Sequence, residues 1–129
     1  MTDQLTRTDH PNAVMARKAM DAMSGGHMEA MADMLDDDVV WHEIGNPEPV
    51  RGKAALAARM TGREFQITFD VHDVVANDDH TIVLGQAHAT RDGRTLDYRT
   101  AEIMHVRDGK VTERWAFSDD TAAITAFFA

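Results

Sequence analysis

The chain has 129 residues, 43% of them hydrophobic and 27% charged, and a formal net charge of -9. That length suits one soluble globular domain, and the acidic balance argues against a nucleic-acid backbone or an anionic membrane surface as partner. With no cysteine, disulfides, thiolate catalysis and cysteine-held zinc or iron-sulfur centres are excluded.

Residues 1–10 are polar, without the apolar segment of a signal peptide, and are expected to form a flexible tail. Residues 11–129 are expected to form a single domain. No apolar run approaches the roughly 20 residues of a membrane span, so the expected location is the cytoplasm.

Pro11 suits the first turn of a helix, where its fixed φ helps and its missing N–H is not needed. From Asn12 to Ser24, Met15, Ala19, Ala22 and Met23 recur at helical spacing, and Arg17 and Asp21 are placed to pair on the other side. Ser24-Gly25-Gly26 predicts the stop. His27 to Leu35 predicts a second helix, with Met28, Met31 and Met34 on one stripe. Asp36-Asp37-Asp38 is expected to end it, because acidic side chains are unfavourable at the negative end of a helix dipole. Six methionines fall in these two helices; they suit core packing and equally an adaptable apolar pocket wall.

Next comes Val39-Val40-Trp41-His42-Glu43-Ile44, read as a strand and followed by a Gly/Pro-rich turn through Gly52. Successive strand side chains alternate faces. Val39, Trp41 and Glu43 should share the inner face, and Val40, His42 and Ile44 the other. A glutamate among core residues belongs either at a rim or in a working pocket. Lys53 to Thr61 predicts a third helix.

The period then becomes two. Phe65, Ile67, Phe69 and Val71 alternate with Gln66, Thr68, Asp70 and His72, and Val74-Val75 extends the strand. Strands are expected over Thr81–Thr90, Thr95–Arg107 and Lys110–Ser118. Asn77-Asp78-Asp79-His80 marks the first turn, and Asp92-Gly93 and Asp108-Gly109 mark two-residue hairpins. A short helical turn is expected around Ile124–Phe128. The order predicts an α+β domain, three N-terminal helices on one face of a curved, mostly antiparallel sheet. The outer sheet face, carrying Ile82, Leu84, Ala101, Ile103, Trp115 and Phe117, is apolar, so a two-fold homodimer through it is expected.

The helix–Gly-Gly–helix–Asp-Asp–strand opening, the Trp41-His42, Gly45, Pro49 and Arg51-Gly52 segment, and the closing Val106-Arg107-Asp108-Gly109-Lys110-Val111 with Glu113-Arg114-Trp115 and Asp119 resemble SnoaL-like polyketide cyclases. They also resemble ketosteroid isomerase, in the nuclear-transport-factor-like superfamily. The resemblance runs from about Pro11 to Asp119. It implies a cystatin-like cone with an internal pocket. Matched to ketosteroid isomerase, Glu43 stands at the general base and Glu102 at the neutral acid of the oxyanion hole. Ala19 stands where that family has its oxyanion-hole tyrosine, so that donor is missing. Val83, Gly85, Ala87, Tyr98, Thr100, Met104, Arg114, Ala116 and Ser118 would face the cavity, with Trp41 as wall. The match to the cyclases offers Asp119, and after it Asp120, as another base.

The chemistry implied is cofactor-free acid–base catalysis on a small apolar carbonyl compound: isomerisation, cyclisation or elimination. It needs a base near carbon and a donor near oxygen. Glu43 would be the base, and Glu102, Tyr98 or Arg114 the donor. Arg114 could instead hold a glutamate ionised or clamp a substrate carboxylate. The alternative is a non-catalytic ligand-binding or dimeric interaction module on the same fold. No metal is expected: His42 and Glu43 point apart, and the seven histidines lack ligand spacing.

Overall fold

The computed structural model describes residues 10–61 and 65–129; apart from His10, the expected tail lies outside them. The His10 ring accepts a hydrogen bond from the Asn12 N–H (3.1 Å) and pairs with Asp78 (2.8 Å), tying the start of the first helix to a distant turn. The elements in order are α1 (Pro11–Ser24), α2 (Met28–Ala32), β1 (Leu35–Trp41), β2 (Val50–Arg51), α3 (Lys53–Thr61), β3 (Phe65–Ala76), β4 (His80–Arg91), β5 (Arg94–Arg107), β6 (Lys110–Ser118) and α4 (Thr121–Phe128).

Helix α1 begins at Pro11 as expected, but its buried face is Ala13, Ala16, Met20 and Ala22. Met15 and Ala19 are only half-buried. Ala22 of the expected stripe is buried and Met15 and Met23 pack at the edge of the core, so the buried face is centred on the smaller side chains Ala13 and Ala16 with Met20. Arg17 reaches Asp73 across to β3 (4.0 Å), not Asp21 on its own helix. At its end, Ser24 Oγ accepts the Phe69 N–H at 3.0 Å.

The second helix is shorter than predicted. Leu35 already pairs with Val111 of β6, and Asp36-Asp37-Asp38 lies within β1. Pairing with β6 is irregular between Leu35 and Val40, and Asp36 Oδ2 accepts the Asp38 N–H at 2.9 Å. The helix thus ends at Ala32, before the acidic run that was expected to stop it. Of the methionine stripe, Met31 is buried and Met34 half-buried; the Met28 side chain lies outside the described ones.

The six strands form one sheet in the order β2-β1-β6-β5-β4-β3. β1 runs parallel to β6 and the other neighbours are antiparallel. Both predicted hairpins are present, with Asp92 and Gly93 (φ 52 and 75) and Asp108 and Gly109 (φ 52 and 74) in the left-handed region that such tight turns require. A bulge between Val71 and Asp73 shifts the register of β3 against β4. It turns Val74 inward and leaves Val75 outside.

Two buried clusters fill the inside. One joins α1, α3 and the sheet through Ala16, Met20, Leu56, Val39, Val83 and Met104. The other, at the opposite end, gathers Ala87, Ala89, Tyr98, Ile124 and Phe127. Its last two members come from α4, a helix of 8 residues where only a short turn was expected. Asp120 caps it, Oδ1 accepting the Ala123 N–H at 3.0 Å.

Candidate functional site

A cavity of about 180 Å³ lies inside the cone between the two clusters. Its wall is apolar, from Met23, Ile44, Met60, Ile67, Phe69, Ile124 and Phe128, with polar groups from Glu43, Arg59, Tyr98, Thr100 and Arg114.

Arg114 enters through strand register. Trp41 of β1 pairs with Arg114 of β6, and the His42 N–H donates to the Arg114 carbonyl at 2.9 Å. The guanidinium lies over the Trp41 ring, 4.5 Å from its centroid, a favourable cation–π placement. Nη1 donates to the His42 carbonyl at 2.9 Å. Nε donates to Glu102 Oε1 at 2.9 Å, and Nη2 donates to the same oxygen. Three of the five guanidinium N–H bonds are therefore directed; the other two have no partner among the described residues.

Glu102 is 2% exposed, faces Arg114 and is not part of the cavity wall. Its Oε2 has no hydrogen-bond partner among the described residues. In this pose the carboxyl accepts from Arg114 rather than donating into the cavity. The two glutamates placed together by the sequence are thus separated: Glu102 backs Arg114, and Glu43 lines the wall.

Glu43 sits just beyond the end of β1. The strand ends at Trp41, so alternation fails there and Ile44 also turns inward. The Glu43 side chain is 20% exposed, and its Oε1 lies 2.5 Å from Arg59 Nε. Arg59 belongs to the last turn of α3, where a cation is favoured. Its role is not visible in the local sequence. The only signal was one arginine late in an alanine-rich helix, and its partner is 16 residues away in the chain.

The other expected pocket residues divide. Trp41, Tyr98 and Thr100 do line the cavity. Met104 and Ala87 are buried in the clusters on either side. Ala116 is half-buried opposite Glu102. Gly85, Ser118 and Asp119 line an open groove on the outer sheet face instead, where Asp119 Oδ1 accepts the Arg99 N–H at 3.2 Å. A Cβ on Gly85 would stand 2.8 Å from the Asp70 carbonyl oxygen. That residue is small because the β3 bulge presses backbone against it, not to make room for a ligand.

His42 faces outward as expected, stacked on Trp115 with 5.3 Å between centroids and 2.8 Å from Glu113 Oε2. Among the described residues no group of three or more His, Asp or Glu is arranged to hold a metal ion. No described helix is long and apolar enough to cross a membrane.

A family model for the SnoaL-like domain matches residues 16–114. An uncharacterised protein of Mycobacterium tuberculosis (strain ATCC 25618 / H37Rv) is 27% identical over 135 residues, spanning 95% of this chain and 99% of that protein. A solved structure from Xanthomonas campestris pv. campestris, assigned as a polyketide cyclase, has a TM-score of 0.77 at 19% identity, covering 92% of this chain and 94% of its own. An epoxide hydrolase of M. tuberculosis has a TM-score of 0.76 at 14% identity, covering 89% of this chain and 87% of its own. At such identities the structural likeness concerns the fold, and one cone carries different reactions.

Proposed function

We propose that this chain, which belongs to the SnoaL-like domain family, uses its inner cavity for cofactor-free acid–base chemistry on a small apolar carbonyl compound. One observation carries this: the Glu43 carboxylate and the Arg114 guanidinium both line one apolar cavity of about 180 Å³. That is below the roughly 300–1,000 Å³ of pockets for drug-sized ligands, so the ligand is small.

Glu43 takes a proton from the carbon beside the carbonyl. The charge that develops on oxygen is met by the N–H groups of Arg114 that have no partner among the described residues, with Tyr98 beside them in the wall. Glu102 is a positioning residue: it aims the guanidinium and does not touch the substrate. Return of the proton to another carbon gives isomerisation, attack of the enolate on a second carbonyl gives cyclisation, and loss of a β-substituent gives elimination.

Replacing Glu43 by Gln keeps the shape and removes the base. Turnover of any carbonyl compound the protein converts is expected to fall by roughly 10²–10⁴-fold, with folding retained by circular dichroism. Unchanged turnover would overturn the assignment.

A second reading, a non-catalytic binding module, is favoured by the pairing of each glutamate with an arginine, Glu43 with Arg59 and Glu102 with Arg114. Compounds that bind the cavity and are never converted would decide for it.

We also propose a homodimer through the outer sheet face. Val75, Ile82, Ile103 and Trp115 follow one another across β3 to β6, and Leu84, Ala101 and Phe117 form the next row. Phe117 is 58% exposed there. An apolar row of this kind on a sheet face suits a self-complementary contact.

A further inference from the structure

The acid–base reading of the cavity uses one of its two guanidiniums. Arg59 Nε lies 2.5 Å from Glu43 Oε1, and the Arg59 side chain remains 52% exposed. Its two Nη groups donate no hydrogen bond to a described residue, and half of the side chain faces solvent. Arg114 differs: its side chain is 10% exposed, and it is held by Glu102, the His42 carbonyl and the Trp41 ring. Of the described charged side chains in the cavity wall two are cations and one is an anion, in a chain whose net charge is -9.

A guanidinium edge matches a carboxylate bidentately, through two parallel N–H···O bonds. Because Arg59 stands half in solvent, a carboxylate there keeps part of its hydration. The hydrocarbon of the same molecule can then lie inside against Ile67, Phe69 and Phe128, which line the wall. Arg59 also holds Glu43, so a ligand anchored on its Nη groups is brought beside the base.

We propose that Arg59 is the receptor for a ligand carboxylate, and that the compounds this cavity takes are small apolar oxo acids bound head outward. The proposal rests on the inner cavity being the ligand site.

The test is titration calorimetry of the full chain with hexanoate and with its neutral near-isostere hexanamide. Each is measured on the wild type, R59Q, R59K and E43Q, while amide and indole NMR shifts around Trp41 and Tyr98 report entry into the cavity. Hexanoate is expected to bind about tenfold more tightly than hexanamide to the wild type. R59Q is expected to abolish that preference, R59K to keep part of it, and E43Q to tighten hexanoate alone by removing a like charge. Arg59 is exposed enough for these variants to fold, which the NMR spectra verify. Equal affinities in the wild type, or a preference that survives R59Q, would overturn the role of Arg59 while leaving the cavity as a ligand site. If neither probe moves the cavity signals, the reading of the cavity falls together with this one.

Discussion

Glu102 and Arg114 are buried together, whereas Arg59 and Glu43 meet at the edge of solvent. Burial sets what each pair is for. A buried ion pair is weak evidence of stability, since desolvation offsets most of the attraction; what Glu102 supplies is a fixed direction for the guanidinium. The exposed pair leaves half of the Arg59 side chain in solvent. At the residue scale a third ionic group makes a prediction about pH. His88, on the outer face, bonds Asp97 and Asp70 at 2.7 Å each. The hydrogen bond to Asp97, then that to Asp70, raises its pKa above the ordinary 6.5. A raised folded-state value means protonated His88 stabilises the fold. That contribution is complete below the unfolded value, near 6.5, and fades as pH rises through the folded one. An NMR titration is expected to place the His88 midpoint above 6.5, and D97N to bring it down. A midpoint at or below the ordinary value would refute the two-carboxylate geometry.

Helix α4 closes the cone at the scale of the element. It puts Ile124 and Phe127 against Ala87, Ala89 and Tyr98, and Ile124 also forms part of the cavity wall. Gly45 fits beneath the helix: its φ is +80, and a Cβ there would stand within van der Waals overlap of the Thr125 hydroxyl. Ile124→Ala is expected to cost about 2–5 kcal/mol by the loss of buried methylenes. Urea unfolding checks this, and a cost below about 1 kcal/mol would mean that α4 is docked loosely, since typical buried Ile→Ala changes exceed it. Much of this element lay beyond reach of the sequence. The apolar tail predicts a turn, but no local signal says that the turn is a lid on a cavity whose wall also comes from strands as distant in the chain as β1 and β3, a long-range contact that costs loop entropy before it is rewarded.

For the whole molecule, the sheet has two faces and the described helices lie on the inner one. The outer row through Phe117 and Leu84 is left in solvent. Phe117→Asp is expected to convert a dimer to a monomer in light scattering, with the circular dichroism spectrum kept. A wild-type chain that scatters as a monomer at micromolar concentration would remove the proposed interface. The fit to the SnoaL-like family concerns this same scale. A cone can be shared between a cyclase and an epoxide hydrolase because the strands set the cavity and the side chains set the reaction.

The architecture was legible in the chain because its signals are local. Period-two alternation from Phe65 to Val71, the Asp-Gly pairs at 92–93 and 108–109, and Pro11 each act over a few residues, and each is where it was expected. So is α3, which runs from Lys53 to Thr61 as predicted. The site was legible only in part. Trp41, Tyr98, Thr100 and Arg114 do meet at one cavity because alternation along a strand assigns faces, and Glu43, just beyond the end of β1, joins them there. The partners of Glu43 and Glu102, the withdrawal of Glu102 from the wall, and the close approach of the β3 backbone to Gly85 were decided by folding. Each depends on where one strand or helix lies against another: the parallel β1–β6 register, the end of β1 at Trp41, and the bulge at Val71. A side chain's face follows from its neighbours in the chain, but the charge it meets belongs to another element, and only packing brings the two together.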